Sequence, residues 1–381
     1  MTSPAKIAHV TTVHPWNDSR IFHKMCVSLA RSGYEVYLIA PAEGDFSLNG
    51  VEIHGLGQCD ARLWRIFIQP WRACRVVVRL RPDLVHMHDP ELLPLALILQ
   101  ALGYKVIFDA HEDAPQDILM KTWLPSPLRK PLSLCVALFD RIAGRFLSGV
   151  VSATPTVALA FGTNRAVVVH NYPILDELTP VDSQPYLQRP PAFAYVGGIT
   201  QTRGVGVMVQ AMRLLRERWP NAVLKLAGKF DHPKVRADIE ATPGWESLEY
   251  YDWLERPAVR DLLSKVCCGL VILAPTPTYK VSEPIKLFEY MAASLPVIAS
   301  DFPPWRDIIE RHGCGLLVDP TKPVEAADAM SWLLSHRDEA EAMGRAGRAA
   351  VMSEFAWQSE ERRLLGLYDR ILGSTHRTAG Q

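Results

Sequence analysis

Short runs of β-branched and other apolar residues recur along the chain, separated by stretches with a helical pattern. Up to residue 171 these runs are IAHVTTV, YEVYLIA, VEIHGL, DLVHMH, KVIFDAH, GVVSAT and AVVVHN. Between the first two runs, apolar residues recur at i, i+3, i+4 and i+7, and Gly33 stands where a helix would end; the residues are Phe22, Met25, Cys26 and Leu29. This alternation predicts βαβ units around a parallel sheet.

The alternation stops between residues 174 and 191, where DELTPVDSQPYLQRPP holds four prolines and few apolar residues. We predict a linker without helix or strand there. The pattern then restarts with AFAYVGG, AVLKLAG, SLEYYDW, GLVILAP, LPVIAS and GLLVD. The sequence thus predicts an α/β protein of two Rossmann-like domains, residues 1–173 and 192–356. The last helix, within residues 357–381, has no strand after it and is expected to cross back onto the first domain.

Two parallel sheets of this kind bind ligands beyond the carboxyl ends of their strands. If the two domains face each other, their strand-to-helix loops line one cleft. We therefore expect the functional residues on those loops.

Composition excludes several classes of protein. Lys+Arg and Asp+Glu are equal at 41 each, so no net charge attracts nucleic acid. The seven cysteines are scattered without a CxxC pair, which is typical of a reducing compartment and points to the cytoplasm. The first residues lack the pattern of a signal peptide, and the longest apolar stretch, residues 92–102, is shorter than the roughly 18 residues that a membrane span needs.

The segment SEPIKLFEYMAASLPVIAS, residues 282–300, carries the strongest chemical signal. Pro284 suits the first turn of a helix and Ser282 is a candidate cap, so the positive end of a helix would be available to a diphosphate. Lys286 and Glu289 share one face of that helix, where the ammonium can reach phosphate and the carboxylate can accept from ribose hydroxyls. A solvated ion pair between them is the alternative.

A second segment, YVGGITQTRG, starts at Tyr195. The glycines Gly197 and Gly198 after a strand allow a ligand close to the backbone, and Arg203 can hold a phosphate with two donors. A tight turn without function is the alternative.

Histidines mark two strand ends in the first half of the chain. FDAHED places His111 and Glu112 after a strand, at the expected cleft. VHMHDPE puts His86 and His88 on one strand face, a spacing that zinc can use, although no cysteine cluster accompanies it. The chain has no Asp-x-Asp motif to hold Mg²⁺, so we expect no metal and no cofactor beyond the nucleotide-sugar substrate.

In order and spacing, these segments resemble the family-four retaining glycosyltransferases of the GT-B fold, over nearly the whole chain. The resemblance implies that Arg203 contacts the donor phosphate, that Glu289 binds ribose, and that His111 contacts the transferred sugar. Gly197, Gly198, Glu283, Lys286 and Leu287 would complete the donor site, with His111, Arg203 and Lys286 as the catalytic residues. VVVHNYP resembles the hinge strand of the family, and FAWQSEERRLLGLYDRIL resembles its terminal crossover helix.

The chain departs from the family pattern at three places. Val281 stands where the family often has a second glutamate, which makes Glu283 the candidate replacement. Gly198 stands where an arginine is usual, so Lys286 is expected to supply the second positive charge.

Near the start, VHPWNDSRIFHKM stands where many relatives have a Gly-Gly loop, and it resembles a branch from polysaccharide pathways. His14, Asp18 and Arg20 are therefore candidates for acceptor or phosphate contacts, with a helix cap as the alternative role of Asp18.

A local cluster of basic residues predicts contact with a membrane. The segment ARLWRIFIQPWRACRVVVRLRP holds six arginines, from Arg62 to Arg81, two tryptophans and no acidic residue, a composition suited to anionic headgroups. KTWLPSPLRKPLSLCVALFDRIAGRF repeats the mixture more weakly. Ordinary helices with arginines extending from a buried face are the alternative.

The resemblance implies transfer of a sugar, with retention, from a UDP- or GDP-sugar to a lipid-linked saccharide in the synthesis of a surface polysaccharide. The protein would work in the cytoplasm, peripheral to the inner face of the membrane, without a nucleic-acid partner. An epimerase of nucleotide sugars and a non-catalytic, two-lobed sugar-binding protein are the alternatives.

Overall fold

This computed structural model describes residues 3–58, 67–110, 113–120, 124–162, 165–179 and 184–373. The chain divides into two compact units. The first unit is Met1–Asn171 with Trp357–Gln381, and the second is Tyr172–Ala356. Among the described residues, no helix combines the length and the apolar character that crossing a membrane requires.

The first unit is built on a sheet whose eight described strands follow the order β3-β4-β2-β1-β5-β6-β7-β8. All neighbours are parallel except β3 and β4. The strands are β1 (Lys6–Val10), β2 (Glu35–Ala40), β3 (Phe46–Leu48), β4 (Val51–Gly55), β5 (Leu84–Met87), β6 (Val106–Ala110), β7 (Gly149–Ser152) and β8 (Ala166–Val168). Each of the seven predicted runs forms a strand.

Strand β3 is the one that the pattern missed in this unit, because three residues are too few to show a period. Its hairpin partner β4 begins after Asn49 and Gly50, which both have positive φ, at 53° and 79°. Asn-Gly is the pair that a tight hairpin turn favours, so the turn carried the signal that the strand lacked.

Helices cover both faces of this sheet. The predicted first helix is present, with a π-helical start, and its four periodic apolar residues are buried. Gly33, at φ +89°, follows its end. The helical segments are Ser19–Cys26, Val27–Arg31, Gln69–Leu80, Leu93–Ala101, Ala114–Met120, Ser126–Phe146 and Pro155–Ala160.

The last helix, Trp357–Leu372, packs on the first unit, as predicted. The indole N–H of Trp357 donates to the Ser28 hydroxyl at 2.9 Å, in the buried interior. Glu360, 1% exposed, accepts from the backbone N–H of His170 at 2.9 Å. Buried polar contacts at both places fix where the helix lies on the sheet.

The second unit has a sheet of six described strands, all parallel, in the order β11-β10-β9-β12-β13-β14. The strands are β9 (Ala192–Val196), β10 (Val223–Ala227), β11 (Leu248–Tyr251), β12 (Cys268–Val271), β13 (Val297–Ser300) and β14 (Gly315–Val318), the six that the pattern predicts. The helices are Val205–Leu215, Pro233–Glu240, Arg256–Leu263, Ile285–Ala292, Pro303–His312, Pro323–Ser335 and Arg337–Ser353. The strand order is that of a Rossmann fold, and it reverses between β9 and β12.

The linker prediction for residues 174–191 is wrong, because this segment belongs to the second unit. Leu175–Leu178 forms a short helix, and Leu178 is 1% exposed. Tyr186 is buried, and its hydroxyl donates to the carbonyl of Cys267 at 2.7 Å. The buried side chains of Leu178 and Tyr186 attach this proline-rich segment to the second unit.

Candidate active site

The glycine turn after β9 lies at the point where the strand order of the second unit reverses, which is where open α/β sheets bind ligands. Gly197 has φ +129°, a conformation that favours glycine. A Cβ at Gly197 would lie 2.6 Å from Cε of Lys286. The missing side chain therefore makes the room that Lys286 occupies above the turn.

Arg203 lies over the next residue of the turn. Its guanidinium donates to the carbonyl of Gly198 at 3.3 Å, and a Cβ at Gly198 would lie 2.8 Å from its Nη1. The backbone of this loop is held to the end of β12, because the N–H of Ala274 donates to the carbonyl of Thr202 at 2.8 Å. The Gly-Gly turn thus brings two cations, Arg203 and Lys286, onto adjacent residues.

The helix Ile285–Ala292 begins at this place, with Pro284 at its N-cap. The prediction that Ser282 caps it is wrong, since no side chain makes a cap hydrogen bond. The Ser282 hydroxyl instead donates to the carbonyl of Tyr279 at 3.2 Å, and its own carbonyl accepts from the Trp305 indole at 2.6 Å. The first turn of the helix therefore keeps its positive dipole end beside Lys286 without a side-chain cap.

Lys286 is held in an unusual electrostatic environment. Its Nζ lies 5.4 Å from the centre of the Tyr195 ring. Burial, together with the positive charge of Arg203, lowers the pKa of Lys286 to about 8, and Glu289 opposes this shift. A bound anion would relieve the repulsion between the two cations, so the arrangement suits a phosphate or diphosphate.

Glu289 is engaged in an ion pair that sequence reasoning missed. Its Oε1 lies 2.6 Å from Nη1 of Arg256, whose Nε lies 3.4 Å from a carboxylate oxygen of Glu177. These three residues are far apart in the chain, so no local pattern announces the contact. Arg256 orients the carboxylate that the resemblance assigns to ribose.

Two other predicted donor residues differ in their surroundings. The side chain of Leu287 is 0% exposed and lies in the hydrophobic core, and the assignment of Leu287 to the donor site stays a prediction. On a helix, the side chain after Lys286 points about 100° away from it, and in this helix that direction is the core. Glu283 is half-buried in the loop just before the helix, and Val281 is exposed. The role of Glu283 stays a prediction.

In the first unit, Asp89 organises the loop at the carboxyl end of β1. The buried carboxylate accepts from the Thr11 hydroxyl at 2.9 Å and from the backbone N–H of Val13 at 3.2 Å. Its other oxygen lies 2.9 Å from Nδ1 of His14. Burial acts to raise the pKa of Asp89, but the hydrogen bonds from His14, Thr12 and Thr11 hold it below its ordinary value. His14, partly exposed, remains a candidate for acceptor contact at a sheet edge of the kind that binds ligands.

The other two residues of that motif have structural roles. Asp18 caps the first helix by accepting from the backbone N–H groups of Arg20 and Ile21. Arg20 is 4% exposed, and its guanidinium donates to both oxygens of Asp109 at 2.8 and 2.9 Å. Asp18 thus takes the alternative role of a cap. Arg20 takes part in a buried ion pair, and its assignment to acceptor or phosphate contacts stays a prediction.

Three buried histidines continue from Asp109 as a hydrogen-bonded chain. His88 Nδ1 lies 3.1 Å from Asp109, and His88 Nε2 lies 2.8 Å from Nδ1 of His9. The Tyr368 hydroxyl lies 3.2 Å from Nε2 of His9 and 2.6 Å from Nδ1 of His86. Because a carboxylate only accepts, Nδ1–H of His88 donates to Asp109, and Nδ1–H of His9 then donates to Nε2 of His88. The Tyr368 hydroxyl donates to Nε2 of His9 and accepts from Nδ1–H of His86.

Burial, with the neighbouring His88 imidazole adding to it, keeps the pKa of both His9 and His86 well below the ordinary value. The ring nitrogens of His9, His86 and His88 lie within 4.8 Å of one another, as a metal site requires. However, the bonds just described occupy these nitrogens, apart from Nε2 of His86, which has no partner among the described residues. We interpret the cluster as a network that fixes the last helix on β1 and β5.

His111 and Glu112 lie outside the described residues. Their assignments to the transferred sugar and to the acceptor stay predictions.

A small pocket lies beside the end of β6, and its lining includes Phe108, Asp113, Asp140 and Phe161. Burial raises the pKa of Asp140 to about 6, and the negative charge of Asp113 adds to the shift.

Replacing Asp140 by asparagine is expected to stabilise the protein at pH 8 by about 1–3 kcal/mol and to have little effect at pH 4. A pKa raised on folding means that the folded state holds the proton more tightly, so parent stability falls as pH rises through the range between the two pKa values. Urea unfolding at both pH values measures the difference. Asp113→Asn, which removes only the repulsion, should give a smaller gain, and equal effects of Asp140→Asn at both pH values would contradict the prediction.

A Rossmann-like unit with a glycine turn, two cations and a helix N-terminus at its switch point belongs to the class of nucleotide-binding α/β proteins. The family comparisons narrow this class. Residues 182–350 match the model of glycosyl transferases group 1, and residues 19–171 match the model of a glycosyl transferase 4-like domain. Together the two models cover most of the chain, which belongs to the group 1 glycosyltransferases and is a glycosyltransferase.

Curated relatives are similar over part of their length. Spore coat protein SA of Bacillus subtilis is 23% identical over 46% of this chain and 48% of its own. The D-rhamnosyltransferase WbpZ of Pseudomonas aeruginosa is 26% identical over 44% of this chain and 42% of its own. A GDP-mannose-dependent alpha-(1-6)-phosphatidylinositol monomannoside mannosyltransferase of Mycobacterium tuberculosis is 37% identical over 20% of each chain. The matches span about half the length of these relatives or less.

Solved structures agree in fold over nearly the whole chain. Sucrose-phosphate synthase from Thermosynechococcus elongatus has a TM-score of 0.77 at 15% identity, covering 97% of this chain and 100% of that one. Anabaena HepE in complex with UDP-glucose has a TM-score of 0.72 at 12% identity, covering 96% and 99%. Two Rossmann-like domains with this similarity have the GT-B fold.

Proposed function

We propose that this glycosyltransferase moves a sugar, with retention of configuration, from a UDP- or GDP-sugar to a lipid-linked saccharide during synthesis of a cell-surface polysaccharide. One observation carries the donor side: Arg203 and Lys286 converge on the glycine turn at the N-terminus of the Ile285–Ala292 helix. This arrangement supports binding of a diphosphate, the part that all such donors share.

The relatives do not decide whether the donor nucleotide is UDP or GDP. HepE has been solved with UDP-glucose, whereas the mycobacterial relative is named as GDP-mannose-dependent. WbpZ, named as a rhamnosyltransferase, supports a saccharide product without naming the acceptor of this chain.

Chemically, the bond between the anomeric carbon and the diphosphate breaks while the acceptor oxygen bonds to the same carbon on the same face, and the acceptor proton passes to the departing diphosphate oxygen. Negative charge grows on the departing diphosphate, and Arg203 and Lys286 stabilise it. These cations can do the work for which other transferases employ a divalent ion, so we propose a reaction without a metal.

Peripheral contact with an anionic membrane, through the Arg62–Arg81 segment, would bring the enzyme to its lipid-linked acceptor. Residues 62–66 of that segment lie outside the described residues.

The test is a thermal-shift screen against UDP, GDP and their sugar conjugates. A ligand at about 100 times its Kd stabilises the folded state by roughly 2.7 kcal/mol, so one nucleotide family is expected to raise the melting temperature. Glu289→Ala should abolish that shift, while Glu310→Ala, at an exposed position elsewhere in the same unit, should leave it unchanged. Absence of a shift with every nucleotide would count against the donor site.

A further inference from the structure

The helix Ser126–Phe146 presents an apolar face to solvent. Six of its large apolar side chains have exposed fractions between 37% and 71%; they are Leu128, Leu132, Leu134, Leu138, Phe139 and Phe146. Single exposed apolar residues are common on soluble proteins, whereas a contiguous row of them marks an interaction surface.

The helical period places these side chains together. Leu128, Leu132, Phe139 and Phe146 follow one stripe at i, i+4, i+11 and i+18, and Leu134 and Leu138 lie roughly 110° around the helix from it, with Cys135 and Ile142 between. The opposite side of the helix is the buried one, with Ser133, Asp140 and Ala143 turned toward the unit. The outward side thus exposes six large apolar side chains, more than an ordinary surface helix presents to solvent.

Charge along the helix indicates what the face contacts. Lys130, Arg141 and Arg145 are exposed, and the helical period puts all three in the same sector as Leu134 and Leu138. Asp140 is the one acidic residue of the helix, and it is 5% exposed. A surface of apolar side chains and cations without an exposed acid complements a bilayer that carries anionic headgroups.

A second helix on the same side of the sheet has related chemistry. Gln69–Leu80 and Ser126–Phe146 pack on one core, through Ala73 and Val77 on the first and Ala143 on the second. The outward side of Gln69–Leu80 exposes Trp71, at 70%, among arginines. The basic segment and the apolar helix therefore belong to one layer of the first unit.

The inner side of the Ser126–Phe146 helix reaches the pocket that Asp113 and Asp140 line. About one helix diameter, roughly 10 Å, separates the outward face from that pocket.

We propose that the outward face of the Ser126–Phe146 helix is the membrane-docking surface, with its leucines and phenylalanines among the acyl chains of an anionic bilayer. Lys130, Arg141 and Arg145 contact the headgroup phosphates. The inference deepens the proposed function and rests on it for the lipid-linked acceptor. It makes this helix, rather than the Arg62–Arg81 segment, the principal contact with the membrane.

Co-sedimentation with vesicles tests the surface. The full chain is expected to bind phosphatidylcholine vesicles containing phosphatidylglycerol and to bind pure phosphatidylcholine vesicles more weakly. Leu134→Glu combined with Leu138→Glu should weaken binding to the anionic vesicles by about tenfold or more, because two apolar contacts are lost. The matched control, Leu48→Glu with Leu187→Glu, adds the same charges on exposed leucines outside that layer and should bind as the parent does.

A second measurement does not depend on a disruptive substitution. Cys135 is exposed on the same face, so an environment-sensitive fluorophore attached there, in a Cys59→Ser, Cys74→Ser background, should shift to the blue when anionic vesicles are added. A fluorophore on Leu187→Cys in that background, with Cys135→Ser, should not shift.

Three outcomes would overturn the inference: parental vesicle binding by the Leu134→Glu, Leu138→Glu variant, no fluorescence shift at Cys135, or a parent dimer in solution that this variant dissociates while vesicle binding is unchanged. The nucleotide thermal shift, run on every variant, separates the two proposals. Retained donor binding without vesicle binding would refute the docking surface and leave the donor assignment intact, whereas vesicle binding without any donor response would refute the assignment of the donor.

Discussion

Lys286→Ala is expected to lower kcat by about two to three orders of magnitude, equivalent to roughly 2.7–4 kcal/mol of barrier. The substitution removes one of the two cations that stabilise the departing diphosphate, at the helix end where its charge grows. Steady-state kinetics with saturating donor measure the loss. Lys280→Ala is the matched control, since Lys280 is exposed six residues earlier and should leave kcat unchanged.

The same residue predicts a pH dependence. With a pKa of about 8, Lys286 is a cation below that pH and becomes neutral above it in the free enzyme. The parent's kcat/KM for the donor should therefore fall as pH rises through 8. That decline should vanish in Lys286→Ala. A variant that turns over at the parental rate would remove Lys286 from the mechanism.

Arg20→Ala is expected to destabilise the first unit by about 3–5 kcal/mol, the usual cost of removing one partner from a buried ion pair. Asp109, 0% exposed, would lose the guanidinium that neutralises its charge in the buried interior. Urea unfolding followed by far-UV circular dichroism measures the change. Asp18→Ala, which removes only the helix cap, should cost about 1 kcal/mol.

Arg20 also offers a way to decide between a structural and an acceptor role. Arg20→Met with Asp109→Leu removes both charges and should recover much of the lost stability, because apolar pairs replace buried ion pairs well. If Arg20 contacts the acceptor after all, Arg20→Ala will keep parental stability and raise the KM for the acceptor instead.

The donor site could be predicted from the sequence to a large extent because its parts are local. The Gly197–Gly198 turn, Arg203 and the helix that carries Lys286 each follow from a short segment whose backbone pattern is readable. What that reasoning missed is the ion pair of Arg256 with Glu289, since its partners come from different elements. The cap assigned to Ser282 was wrong for a related reason: its hydroxyl has a nearer acceptor in the preceding turn.

The first unit was harder to predict, and the motif around Arg20 shows why. A charged residue beside a predicted helix start resembles a ligand contact, and only the position of Asp109, 89 residues later, turns it into a buried pair. Asp89 was passed over although its own segment was noted for histidines, because its bonds go to a loop 75 to 78 residues earlier.

By itself, the sequence determined the thirteen predicted strands, the helices between them and the GT-B resemblance, because periodicity and turn residues act over a few neighbouring positions. Only the tertiary structure decided which charged groups are partners and which face of each helix is buried. The Ser126–Phe146 helix has apolar residues on more than one side, and its composition cannot say which side meets the sheet. That choice depends on packing against distant strands, and here it leaves leucines and phenylalanines facing outward.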